Sequence, residues 1–82
     1  MRYTVVWTPS AKAQLSNLWL QSSDRQAVTD AADRIDKELR DDAPKKGTIL
    51  GRFLVIHEKQ LSALFSVDDG DCMVRVIQLR QC

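Results

Sequence analysis

The chain has 82 residues, with 12 Lys and Arg against 11 Asp and Glu, one His, two Cys and 44% hydrophobic residues. This suits one small soluble domain, residues 1–82, in which every amphipathic element shares one core, and it leaves no length for a second domain or a buried cofactor pocket. Two cysteines make neither a disulfide framework nor a CxxC pair and a single His removes most zinc constellations, so no metal and no cofactor are expected.

No run of about 18 apolar residues offers a membrane span, and the opening Met1–Trp7 stretch is too short for a signal peptide's apolar region, so a cytoplasmic protein with no membrane partner is expected. Residues 1–44 sum to a charge of −1 and residues 45–82 to +2. Three of the four acids in the second half cluster in one turn, which leaves the rest of that half more basic than its total.

Arg2 to Trp7 is β-branched and aromatic and reads as a strand, with Tyr3, Val5 and Trp7 on one face. Thr8 then suits an N-cap and Pro9 the first helical position. A helix to about Gln21 follows, its apolar stripe formed by Ala11, Leu15, Leu18 and Trp19. Ser22-Ser23-Asp24 breaks it. Ser23 and Gln26 fit a capping box, and a second stripe of Val28, Ala32, Ile35 and Leu39 carries a helix to about Asp41. Residues 42–47 read as a turn-rich connection in which Pro44 ends the helix and Gly47 supplies a positive φ.

Three short β-branched runs follow, at Phe53 to Glu58, Leu61 to Val67 and Cys72 to Leu79, the last two joined by a hairpin turn at Asp68-Asp69-Gly70-Asp71 in which Gly70 supplies the positive φ. Cys72 reads as a packed strand residue and Cys82 as a free terminal thiol. The fold class is therefore α+β: an N-terminal strand, a helical hairpin and a three-stranded antiparallel meander, joined in one twisted sheet with the helices on one face.

The opening "YTVVWTPSAKAQL" resembles the start of RelE/ParE superfamily toxins of bacterial type II toxin–antitoxin systems. The "RIDKELRDDAPKKG" stretch is similar to that family's helix end, and "LFSVDDGDCMVRVIQLR" to its closing hairpin. The resemblance spans Arg2 to Arg80 and implies a growth-arresting toxin, of the kind tied to plasmid stabilisation. It implies an antitoxin that wraps the toxin as a hetero-oligomer, and either of two targets. RelE-like members cut mRNA in the ribosomal A site, and ParE-like members inhibit DNA gyrase; neither needs a cofactor.

Carried onto this sequence, the resemblance makes Arg52, Lys59, Arg75 and Arg80 candidates for an effector or nucleic-acid-binding surface. "VRVIQLR" matches ParE-like final strands better than any catalytic RelE position. Ser62 in "LSALF" stands where RelE-like toxins commonly carry Arg, and the sequence stops before the segment that supplies a catalytic Tyr in that branch. The ParE-like reading is therefore favoured, with mRNA cleavage as the alternative. A third reading, a non-toxic nucleic-acid-binding or regulatory module of the same fold, draws little support from a pI of about 7.8.

His57 is the one candidate catalytic group for proton transfer near neutral pH, although a lone strand-edge His is ordinarily a solvated surface residue. It is expected among Arg52, Glu58 and Lys59. Arg75, with Met73, Ile77 and Leu79 as same-face neighbours, is expected either to pair with a carboxylate or to emerge on a concave face. Trp7 and Trp19 fall on apolar stripes, where core packing is the ordinary reading. Leu20 lies off the stripe; if it and Trp19 are exposed, Leu15, Trp19 and Leu20 form a patch for the antitoxin. The Asp68, Asp69 and Asp71 cluster lacks the loop length and closing Glu of a calcium site and reads as a solvated hairpin tip.

Overall fold

The computed structural model describes residues 2–59 and 61–81, the side chain of Pro44 excepted; Cys82, the expected free thiol, lies outside them. The elements are β1 (Thr4–Trp7), α1 (Pro9–Gln21), α2 (Arg25–Lys46), β2 (Thr48–Leu50), β3 (Phe53–Glu58), β4 (Leu61–Asp68) and β5 (Met73–Gln81). Among the described residues the strands form one open five-stranded sheet in the order β1-β5-β4-β3-β2. β1 runs parallel to β5, and the other neighbours are antiparallel. The α+β architecture with helices on one face is thus the expected one, enlarged by β2.

Both helices start on side-chain caps, which satisfy amide groups that the first helical turn leaves without partners. Thr8 Oγ1 accepts from the Ala11 amide at 3.2 Å, with Pro9 in the first turn as expected. The second cap is Asp24, whose Oδ1 accepts from the Ala27 amide at 3.1 Å, and not Ser23. Gln26 cannot close a box there because its amide donates to Asp30 at 2.9 Å, one turn further along α2.

α2 also runs further than its apolar stripe suggested. Asp42 leaves helical geometry (φ −154°, ψ 73°), and a last turn then resumes to Lys46. Pro44 falls at the beginning of that new turn, where a missing N–H breaks no helical bond. Fully buried Ala43 holds the turn against the core. Gly47 has φ −113°, so its role is not positive φ. A Cβ there would stand 2.7 Å from Phe65 Cζ and 3.0 Å from Leu54 Cβ. Glycine is required at this position for space.

The left-handed positions lie elsewhere. Gly51 (φ +64°) turns the two-residue hairpin between β2 and β3, as a primed turn demands. Lys59 (φ +53°) turns the next hairpin, and Cys72 (φ +50°), not Gly70, turns the last. Cys72 therefore precedes β5, half-buried against the core, with its thiol 3.7 Å from the Asp69 carbonyl.

The core lies between the helices and one face of the sheet. Val28, Ala32, Ile35 and Leu39 of α2 are all buried, as the stripe required, and meet Val5, Ile56, Leu61, Ala63, Phe65, Val74 and Val76 from the strands. Each fully buried aliphatic or aromatic side chain contributes about 1.5–3 kcal/mol. Two polar ties cross this layer. Trp7 Nε1 donates to Asp36 Oδ1 at 3.2 Å while Asp36 Oδ2 holds Arg40 Nε at 2.7 Å, which joins β1 to α2. The buried Tyr3 hydroxyl donates to Asp69 Oδ1 at 3.0 Å, joining β1 to the β4–β5 hairpin.

Candidate functional site

The face of the sheet away from the helices is shaped by one irregularity. β4 and β5 pair in register from Leu61↔Gln81 to Leu64↔Gln78, and again from Phe65↔Val76 to Asp68↔Met73, which leaves Ile77 as an extra residue in β5. Such a bulge inverts the in–out alternation beyond it. Val74, Val76 and Leu79 consequently all reach the core, and Arg75, Gln78 and Arg80 all turn to the open face. Arg75 and Arg80 are five residues apart, so unbroken alternation would have put them on opposite faces.

The bulge also corrects the surroundings expected of Arg75, since Leu79 is removed to the core. Arg75 is exposed and stands between Val6 of β1 and Ser66 of β4. It is not a buried charge in need of a carboxylate. Arg80 is exposed at the other end of the face, opposite Ser62, which in turn faces His57 of β3. Ser62 and Ser66 are four residues apart, so the two arginines stand about 13 Å apart along the sheet.

Lys59 lies in the turn just beyond His57. Arg52 lies in the turn at the opposite end of β3 and so does not join His57, contrary to expectation. Among the described residues none of Arg52, Lys59, Arg75 and Arg80 forms an ion pair. The pairs that do form are Arg34–Glu58 (3.6 Å), Arg40–Asp36 (2.7 Å) and Lys45–Asp42 (3.7 Å), each involving α2.

Beside Arg80, and running across β4 towards β3 and β2, the face holds a shallow cleft of about 250 Å³ lined by Leu50, Val55, Ser62, Leu64, Gln78 and Arg80. An apolar floor beside an unpaired guanidinium can seat an anionic group that carries an apolar neighbour. His57 is exposed on the same face and adds an imidazole there. The sequence's one tyrosine, Tyr3, is 7% exposed and on the helix side. Burial raises its hydroxyl pKa above 10.0, and the hydrogen bond and charge of Asp69 add to that shift.

The opposite surface carries a second feature. Trp19 is 39% and Leu20 60% exposed. This overturns core packing for Trp19, though not for Trp7, which packs against the core. Leu15, Trp19 and Leu20 line a groove of about 420 Å³ closed on its α2 side by Thr29 and Ala32. The Arg25 guanidinium lies 4.6 Å from the centre of the Trp19 ring, a cation–π contact that braces the indole at the groove's end.

Gln14 escaped the reading of the sequence. Its Oε1 accepts from the Leu79 amide at 2.8 Å, in the half of β5 beyond the bulge. The available signal was a polar residue three positions after Ala11 on the inward stripe of α1. Among the described residues no group of three or more His, Cys, Asp or Glu side chains is gathered to hold a metal ion, and no helix is long and apolar enough to cross a membrane.

Neither a family model nor a curated protein matches the sequence. Solved structures do match. A chain of the toxin–antitoxin complex RelBE2 from Mycobacterium tuberculosis superposes with a TM-score of 0.84 over 100% of both chains at 16% identity. A chain of the chromosomal ParDE toxin–antitoxin system from P. aeruginosa gives 0.77 over 98% of this chain and 96% of that one, also at 16% identity. A conserved hypothetical protein from Helicobacter pylori gives 0.59 over 96% and 93% at 15% identity. With the strand order, the helical pair and these likenesses together, the chain has the RelE/ParE fold.

Proposed function

We propose that the chain is the toxin of a type II toxin–antitoxin system, neutralised by a cognate antitoxin and acting through the open sheet face that carries Arg75 and Arg80. The observation that carries this reading is the β5 bulge, which gathers on the face away from the helices two arginines that form no ion pair among the described residues. The likeness to chains of two toxin–antitoxin complexes supports it. Leu15, Trp19 and Leu20 are the antitoxin's contact on the other side, because their groove leaves the apolar side chains of Trp19 and Leu20 exposed to water.

DNA gyrase is the favoured target. The open face offers arginines for a protein or nucleic-acid surface, while Ser62 stands where RelE-like toxins carry Arg and the one tyrosine is buried on the helix side. A second reading, cleavage of mRNA in the ribosomal A site, draws on the row His57–Ser62–Arg80. Two strand spacings put His57 and Arg80 about 10 Å apart across the sheet, enough to bracket a phosphate between a proton acceptor and a cation.

A supercoiling reaction with purified gyrase, run beside a primer-extension map of a translated message, separates the two. Inhibition of supercoiling that disappears in Arg80→Ala is the expected result. Discrete A-site cuts lost in His57→Ala would overturn the choice of target and give His57 the catalytic role.

A further inference from the structure

β1 covers the outer edge of β5 only as far as the Trp7↔Val76 pair. Beyond that point α1 and its cap supply what a neighbouring strand would have supplied. The Thr8 amide donates to the Val76 carbonyl at 3.1 Å, Thr8 Oγ1 donates to the Ile77 carbonyl at 3.4 Å, and Gln14 Oε1 accepts from the Leu79 amide at 2.8 Å. These three bonds bracket the extra residue Ile77. The Leu79 amide belongs to a residue only 3% exposed, so water is a poor substitute for Gln14.

We infer that Gln14 is a positioning residue for the open face: its side-chain carbonyl pins the far side of the β5 bulge and so holds Arg80 on the same face as Arg75 and His57. It acts from the helix side and touches none of the three. Without the pin, β5 can lose the bulge by slipping one residue, and a one-residue slip would carry Arg80 to the core face. The inference uses the proposed function for its activity readout only, since the geometry is measured independently.

The test is Gln14→Met, which keeps the side chain's length and removes the acceptor, beside Gln14→Glu, which keeps an oxygen at the same reach. In isotope-labelled protein, Gln14→Met is expected to speed amide exchange at Leu79 about tenfold or more and to weaken the cross-strand Overhauser contact between Ser62 and Arg80. Exchange at Val74, before the bulge, is expected to stay unchanged. Gln14→Glu is expected to restore both signals. In cells, growth arrest by the chain is expected to weaken in Gln14→Met and return in Gln14→Glu. An unchanged Ser62–Arg80 contact in Gln14→Met would overturn the inference, as would equal acceleration at Val74 and Leu79. A wild-type chain that does not arrest growth would count against the proposed function and leave the exchange measurement to decide the role of Gln14.

Discussion

Arg75 and Arg80 differ from most charged residues of this chain in being exposed on a strand, without an ion pair among the described residues. Removing either takes away no partner from a carboxylate, so the stability effect should stay within about 0.5 kcal/mol, as for ordinary surface positions. Arg75→Ala and Arg80→Ala are each expected to weaken effector activity with thermal melts close to wild type. Melts that fall in step with activity would make them structural residues. Tyr3 gives the opposite case, a polar group spent on the fold. Its hydroxyl pKa is raised in the folded state, chiefly by burial, so the folded protein holds that proton more tightly than the unfolded chain does. The stabilisation is complete below the unfolded value of 10.0 and disappears as pH rises through the higher folded value. Urea titrations from pH 8 to 11 should therefore show stability falling at the alkaline end, and Tyr3→Phe should flatten that fall. An equally steep fall in Tyr3→Phe would assign it to other groups.

Elements were legible in this sequence where side-chain period alone decides them. The α2 stripe and the first strand's Tyr3, Val5 and Trp7 face needed only helical and alternating spacing. What stayed hidden depends on contacts between elements. β2 is three residues with no buried member, too short to show a period, and exists because Gly51 lets the chain fold back on β3. The last turn of α2 survives Pro44 because Asp42 breaks the helix first and Ala43 is buried. The bulge is invisible in the letters of "VRVIQLR", since it is held by Thr8 and Gln14, more than 60 residues away. For the same reason the sequence could name Arg75 and Arg80 as candidates but could not place them on one face. Two predictions belong here. Gly47→Ala forces a Cβ against Phe65 and Leu54 and should cost about 1–3 kcal/mol in urea denaturation, whereas a purely conformational role would leave it neutral at φ −113°. Leu20→Asp, on an exposed position of α1, should leave the melting temperature nearly unchanged and weaken capture of the cognate antitoxin at least tenfold. Undiminished capture would move the antitoxin's contact off this groove.

At the scale of the molecule the sheet divides two surfaces. One side is covered by the helices, whose outer groove at Leu15, Trp19 and Leu20 is the proposed contact for an antitoxin. The other side is uncovered and carries its cations where a bulge has gathered them. A partner on α1 and a target on the open face can thus be addressed by different residues of a chain of only 82. The experiment that reaches this division most directly is induced expression in bacteria of the wild-type chain, of Arg75→Ala/Arg80→Ala and of Leu20→Asp, each with and without the antitoxin and each at verified soluble levels. The wild type should arrest growth and be rescued by the antitoxin, the double arginine variant should be harmless, and Leu20→Asp should arrest growth while resisting rescue. Normal growth with soluble wild-type protein, or full toxicity from the double arginine variant, would contradict the assignment of the open face as the toxin's working surface.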